Sequence, residues 1–262
     1  MKVLITGIAS GIGQSTKDLF LERGHIVYGI DIFKVEEKEN LHTYKCDITN
    51  EEELNKVKES LVKEEIIFDI IINIAGIHQM ASLVENDYQK MKKVIDINLL
   101  GTMLVNRTFH SLLKEKGRIL ITTSEVAGYD PMPFNGLYNV SKTALDSYAQ
   151  ALRQELNLID QKVITIRPGA IKTPLSSNSL DDTKVLAEST KLYKKQSNKF
   201  YKLVKNFMGT PIEPSKLAKL IYKASTTKYP KLIYKKHSNI GLVLLNILPK
   251  RLQCFIIKTL LK

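Results

Sequence analysis

Residues 66–76, IIFDIIINIAG, restrict the fold more than any other stretch, because almost every position is apolar. A strand with one wet face alternates apolar and polar residues. A strand covered by helices on both faces does not, and such strands belong to parallel sheets. Within this run the strand falls at 68–74, and further short apolar runs at 3–6, 26–31, 118–123 and 163–167 also read as strands. Helical patterns lie between them at 11–23, 51–63, 87–113 and 137–159. Strand-helix alternation of this kind predicts a doubly wound parallel sheet in a three-layer α/β/α arrangement.

The segment after the first strand narrows the reading. TGIASGIG, residues 6–13, sits between a strand and a helix. Glycines there let the backbone turn tightly and approach a phosphate, and the free N–H groups of the following helix face the anion. An acid closes the second strand: Asp31 in IVYGID, 18 residues after Gly13. Its carboxylate can accept hydrogen bonds from the adenosine ribose hydroxyls and would repel the extra phosphate of NADP. Ser10 stands where a basic residue would have helped hold that phosphate. The expected cofactor is therefore NAD rather than NADP; the plain alternative is that Asp31 ends a strand in solvent. Asp47, in CDIT after the third strand, is placed to bond the adenine amino group, and the small residues of NIAG, 73–76, let a dinucleotide lie close.

Composition excludes several other classes. The 262 residues suit one domain covering 1–262, with 44% apolar and 7% aromatic residues and no tryptophan. Cys46 and Cys254 show no metal-ligand spacing, and His25, His42, His78, His110 and His237 are scattered, so no metal site is expected. The histidines read as surface or packing residues, although His78 follows NIAG and stands where a substrate pocket would begin. MKVLIT runs straight into a strand, which predicts no signal peptide. The most apolar stretch, 240–261, is interrupted by Pro249, Lys250 and Arg251, which argues against a membrane span. A cytoplasmic, reduced protein is the simple expectation. The formal charge is +12, but only six of 39 basic residues are arginine, and abundant Lys, Ile and Asn read as compositional bias rather than a nucleic-acid face. Lysines thicken from Lys191 onward, which leaves a peripheral membrane contact for the tail as an expectation.

Tyr138 and Lys142 lie four apart on a predicted helix and so share one face. A phenol is too weak an acid to serve as a base at neutral pH. A cation about 4 Å away contributes roughly 4 kcal/mol at an effective dielectric of about 20, enough to bring it toward neutrality. Tyr138 would then pass a proton to or from a carbonyl oxygen.

Taken in order, TGIASGIG, Asp47, NIAG, the Asn98 segment INLLG, the Ser124 segment, YNVSK and RPGAIKT resemble the short-chain dehydrogenase/reductase family in its short single-domain branch, over residues 2–175. The resemblance implies a Rossmann-type fold and NAD(P)-dependent hydride transfer between a secondary alcohol and a ketone. It implies that Tyr138 is the acid/base and that Lys142 lowers its pKa and holds the nicotinamide ribose. Ser124 would bond the substrate oxygen, and Asn98 would fix a bend and a water in the proton path. Pro168, Gly169, Ile171 and Thr173 would line the nicotinamide, the last two near its carboxamide. Gly7, Ser10, Gly11, Ile12, Gly13, Asp31, Asp47, Ile48, Asn73, Ala75 and Gly76 would hold the rest of the dinucleotide. It also implies a homodimer or homotetramer built on the helices at 87–113 and 137–159.

One departure stands out. The family places its serine 13 residues before the tyrosine, whereas Ser124 stands 14 before Tyr138 and position 125 is Glu. Either the loop GYDPMPFNG, 128–136, has gained a residue, or the serine role has passed to Glu125 or Thr123. Loss of that role would fit a rival reading, a silent dinucleotide-binding sensor or scaffold. An epimerase or dehydratase would need a larger C-terminal substrate domain than follows Thr173. The end of the chain reads instead as a substrate lid at 176–208 containing one helix, a helix at 214–225, a strand at 231–234 and an amphipathic tail at 239–262. That tail either packs over the substrate pocket or lies on a membrane or partner.

Overall fold

The computed structural model describes residues 1–207 and 211–262, with the backbone alone at 175–180 and 206–207. Its seven strands are β1 (Lys2–Thr6), β2 (Ile26–Asp31), β3 (Leu41–Lys45), β4 (Phe68–Asn73), β5 (Leu113–Thr122), β6 (Lys162–Pro168) and β7 (Ile233–Lys236). They form one parallel sheet in the order β3-β2-β1-β4-β5-β6-β7. The order reverses between β1 and β4, where Thr6 pairs with Asn73, so a crevice opens at the carboxyl ends of these two strands.

The helices are α1 (Gly11–Glu22), α2 (Glu51–Lys63), α3 (Tyr88–Ile95), α4 (Thr102–Phe109), α5 (Gly136–Asn157), α6 (Pro174–Ser189), α7 (Lys194–Phe207), α8 (Pro214–Thr226), α9 (Ile240–Ile247) and α10 (Lys250–Leu261). Successive residues of β4 enter different cores, which is why its sequence does not alternate. Ile71 packs with Leu4, Ile119 and Ile121 under α2, α4 and α5, through Leu54, Val105, Phe109 and Leu145. Ile70 and Ile72 pack with Val3, Ile5 and Leu120 under α1 and α8, through Phe20, Leu217 and Ile221. Helix starts follow local chemistry. The Asn50 side chain accepts from the N–H groups of Glu52 and Glu53, and three glutamates in the first turn of α2 oppose Lys63 in the last, matching the helix dipole.

Three elements differ from the sequence expectation. The helix expected at 87–113 is divided into α3, a π-helical turn at Asp96–Gly101, α4 and a short 3₁₀ turn at His110–Leu112. Leu113 already belongs to β5, because it pairs with Phe68 ahead of a register shift in that ladder. The 176–208 segment holds two helices rather than one. Between them Glu85 accepts the N–H groups of Lys191 and Leu192 at 2.8 and 3.1 Å, which ends α6 and starts α7. Residue 208 of that segment lies outside the described residues. The last strand begins at Ile233 rather than 231.

The tail breaks at Pro249 as expected. Ile257 and Leu261 of α10 join Phe134, Leu186, Phe200 and Val204, so α10 completes a small core with α6 and α7. In contrast, α9 buries none of its residues. No helix among the described residues is long and apolar enough to cross a membrane.

Candidate active site

The glycine loop after β1 is shaped by close approach. Gly7 has φ +78°, and a Cβ there would stand 2.9 Å from the backbone of Ala75. A Cβ on Gly13 would stand 1.8 Å from the carbonyl oxygen of Gly7, which no side chain tolerates. Thr6 Oγ1 accepts from the N–H groups of Ile74 and Ala75 at 3.2 and 3.3 Å, tying this loop to NIAG. Asp31 takes part as well: Oδ2 accepts from Ala9 N–H at 2.9 Å and Oδ1 from Phe33 N–H at 3.0 Å. Ser10 precedes α1 without capping it, so it blocks none of the N–H groups in the first turn, at Gly11, Ile12 and Gly13. The RPGAIKT loop closes from the other side, where Thr173 Cγ2 would meet a Cβ on Gly11 at 3.0 Å. Within that loop Gly169 is required, because a Cβ would stand 1.8 Å from the carbonyl oxygen of His237. Ile171 is buried and its strand-like bridge to Ile212 holds the loop in place.

Further along the sheet, Asp47 Oδ1 accepts from both N–H and Oγ1 of Thr49 at 2.8 Å. It borders a cavity of about 340 Å³ also lined by Lys92, Lys93, Asp96 and Ile97. Ile48 is buried beneath Gly101. Asn73 is turned into the sheet, where its amide donates to Asn106 Oδ1 at 2.8 Å and to the Leu120 carbonyl at 3.3 Å. Gly76 matters more to the chemical end, because a Cβ would stand 3.1 Å from Asn98 Oδ1 and 3.3 Å from Lys142 Nζ. A tight glycine cradle and uncapped helix start that donate, and an acid at the second strand that accepts, are the groups that a dinucleotide fits.

At the chemical end, Tyr138 and Lys142 occupy the first two turns of α5 and are 9% and 4% exposed. Lys142 Nζ donates to the Thr122 carbonyl at 3.3 Å and lies 5.9 Å from the centroid of the Tyr138 ring. Asn98 sits in the π-helical turn, fully buried. Its Oδ1 accepts from Ile77 N–H at 2.8 Å, while Nδ2 donates to the Ile77 carbonyl at 2.9 Å and to Ser141 Oγ at 3.0 Å. The amide so clamps the loop after NIAG onto α5.

The three candidates for the serine role point in different directions. Thr123 Oγ1 donates to Asp146 Oδ1 at 3.3 Å, away from the tyrosine. Glu125 Oε2 accepts from Asn239 N–H at 2.6 Å, so the carboxylate is committed to the start of the tail. Ser124, two residues past the end of β5, is the hydroxyl that pulls the Tyr138 phenol down by hydrogen bonding, and its Oγ also accepts from Val126 N–H at 3.4 Å. The chain between Ser124 and Tyr138 is spanned by a 3₁₀ turn at Glu125–Gly128 and a loop in which Asn139 Nδ2 donates to the carbonyls of Val126 and Tyr129.

Electrostatics correct one expectation. Burial pushes the Tyr138 phenol up to about 12; Ser124 offsets part of this and Glu125 adds to it. Lys142 does not bring the phenol toward neutrality, because its ammonium is turned to the Thr122 carbonyl and is itself stripped of water. Burial pulls Lys142 down to about 8. In this state the pair is a neutral phenol beside a cation.

His78 was legible only as a residue at the pocket edge, and the structure sets its ring 4.4 Å from the Tyr138 ring, centroid to centroid. Nε2 meets Asn135 Oδ1 at 3.1 Å, while Nδ1 is buried with no hydrogen-bond partner among the described residues. Burial holds its pKa down to about 4, so the ring is neutral at physiological pH. Its place two residues past Gly76, on the carboxyl edge of the sheet, was the one signal available in the sequence.

Known proteins resemble this chain in sequence and fold. A family model described as short chain dehydrogenase matches residues 1–184. The 3-ketodihydrosphingosine reductase of Bacteroides thetaiotaomicron is 26% identical over 230 residues, which cover 87% of this chain and 84% of that protein. The NADPH-dependent 1-acyldihydroxyacetone phosphate reductase of Schizosaccharomyces pombe is 33% identical over 186 residues, 68% of this chain and 62% of that protein. A short chain dehydrogenase family protein from Francisella tularensis has a similar structure, with TM-score 0.74 and 24% identity over 89% of this chain and 96% of that one. The chain belongs to the short chain dehydrogenase family and is an NAD(P)-dependent oxidoreductase acting on CH–OH groups or the corresponding ketones.

Proposed function

We propose that this enzyme interconverts a ketone and a secondary alcohol with NAD(H), Tyr138 exchanging the proton with the substrate oxygen. The observation that carries the reading is the convergence of Tyr138, Lys142 and Ser124 in one buried site. A phenol held neutral up to about 12 carries its proton at pH 7 and can donate it to a carbonyl oxygen when the ketone is reduced. Ser124 donates to the same oxygen and holds it in front of the phenol. Lys142, protonated below about pH 8, keeps a positive charge on the same face of α5 as Tyr138. When bound, the dinucleotide supplies or accepts the hydride. Its pyrophosphate belongs at the glycine cradle and the start of α1, and its adenosine ribose at Asp31, whose charge disfavours a ribose phosphate. Leu100, Met103 and Val140, exposed on the π-helical turn, α4 and α5, support a homo-oligomer through that face.

The test follows NADH and NADPH absorbance against a pooled panel of carbonyl compounds. Wild type should consume NADH faster than NADPH, and Tyr138→Phe and Ser124→Ala should each lose most of the rate. If wild type binds NADH yet consumes none across a broad panel, the reading fails and a dinucleotide sensor takes its place. If NADPH is preferred, the enzyme stands and the role given to Asp31 does not.

A further inference from the structure

A helix on a protein surface turns its apolar residues inward and its polar ones to water. The helix α9 departs from this: it buries none of its residues, and apolar side chains line its outward side as well as its half-buried one. Its inward bonds are made by asparagines: Asn239, its cap, donates its backbone N–H to Glu125, and Asn246 Oδ1 accepts from Asp130 N–H at 2.7 Å. Its outward apolar side chains, Ile240, Leu244 and Ile247, are exposed by 74%, 61% and 73%. The next helix presents an exposed side of its own. Gln253 and Leu261 of α10 are buried, whereas Arg251, Phe255, Lys258 and Lys262 share an outward stripe, with Phe255 66% exposed.

Charge identifies what covers this surface. Residues 191–262 hold 17 of the 39 basic residues and one of the 27 acidic ones, Glu213, a balance of +16, while residues 1–190 come to −4. A compositional bias spread along the chain would not partition charge in this way. A second copy of the chain would bring two such segments together and is opposed by their repulsion. An apolar stripe rimmed by lysine and arginine, with no acid after Glu213, matches the headgroup boundary of an anionic bilayer. The apolar side chains enter the acyl boundary while the cations stay at the phosphates.

We propose that α9 and the outward half of α10 dock this enzyme on the surface of an anionic lipid bilayer. The two asparagine tethers reach Glu125 and Asp130, so the docking surface is bonded to the segment between Ser124 and Tyr138. The proposal does not rest on the catalytic reading, and the two fail separately.

The test is co-sedimentation of the full chain with phosphatidylcholine vesicles, with and without about one third phosphatidylglycerol. Wild type should pellet with the anionic vesicles, remain soluble with the neutral ones, and be released by high salt. Each basic residue near the surface is worth about fivefold in partitioning, so Arg251→Gln/Lys258→Gln/Lys262→Gln should weaken binding on the order of a hundredfold. Leu244→Glu/Phe255→Glu should abolish it while the far-ultraviolet circular dichroism stays that of wild type. If the glutamate variant does not fold, the glutamine triple, confined to exposed side chains, carries the test alone. Wild type left in the supernatant, or equal binding to neutral vesicles, overturns the proposal. So does light scattering that shows a dimer in wild type and a monomer in the glutamate variant, since a second copy would then cover the face.

Discussion

Replacing Lys142 by methionine should stabilise the protein while abolishing its activity. Burial holds the Lys142 ammonium from its ordinary 10.5 down to about 8. That difference corresponds to about 3 kcal/mol of folding free energy opposed by the charge at pH 7. Methionine keeps the length of the side chain and removes the charge, but it leaves the Thr122 carbonyl without its donor, at a cost of about 1 kcal/mol. The net expectation is a gain of about 2 kcal/mol, or roughly 4–8 °C in Tm for a chain of this size. The sign of the pH dependence follows from the lowered pKa. Below about pH 8 the folded wild type carries the full penalty; between about 8 and 10.5 it sheds a proton that the unfolded chain retains, so its stability rises relative to the variant. Urea unfolding of both proteins at pH 7 and near pH 10 reads this directly, provided the m-values agree. A variant less stable than wild type at pH 7, or a gap that does not shrink as pH rises, would refute the reasoning.

Four further outcomes follow from the same geometry. Gly13→Ala drives a methyl group into the Gly7 carbonyl and should eliminate NADH binding; an unchanged Kd by fluorescence titration would show that the loop has room. Asp31→Ala removes the charge beside the ribose and should move the ratio of kcat/KM for NADH over NADPH by about tenfold toward NADPH. Asn98→Ala leaves the N–H and carbonyl of Ile77 without partners and should cost about 2–4 kcal/mol in urea unfolding, with a loss below about 1 counting against the clamp. Glu125→Gln should hold kcat within about threefold, because its carboxylate serves the tail, whereas Ser124→Ala should lower kcat by about a hundredfold; equal losses would return Glu125 to the site.

Much of this protein was determined by features local in the chain. The uninterrupted apolar run at β4, the glycines after β1 and the acid at the end of β2 each follow from what one strand, turn or cap requires, so they could be read without partners. The i, i+4 spacing of Tyr138 and Lys142 belongs to the same class, since one helix suffices to put both on a face. Other features were decided only by residues distant in sequence. Whether Thr123, Ser124 or Glu125 meets the tyrosine depends on Asp146 and on Asn239, 114 residues from Glu125. The Tyr138 phenol sits high because surrounding segments strip it of water, while the Lys142 ammonium is turned to the Thr122 carbonyl on β5. The exposed apolar side of α9 was hidden for the same reason: the sequence shows an apolar helix, and only tertiary bonds from Asn239 and Asn246 decide which side meets the solvent.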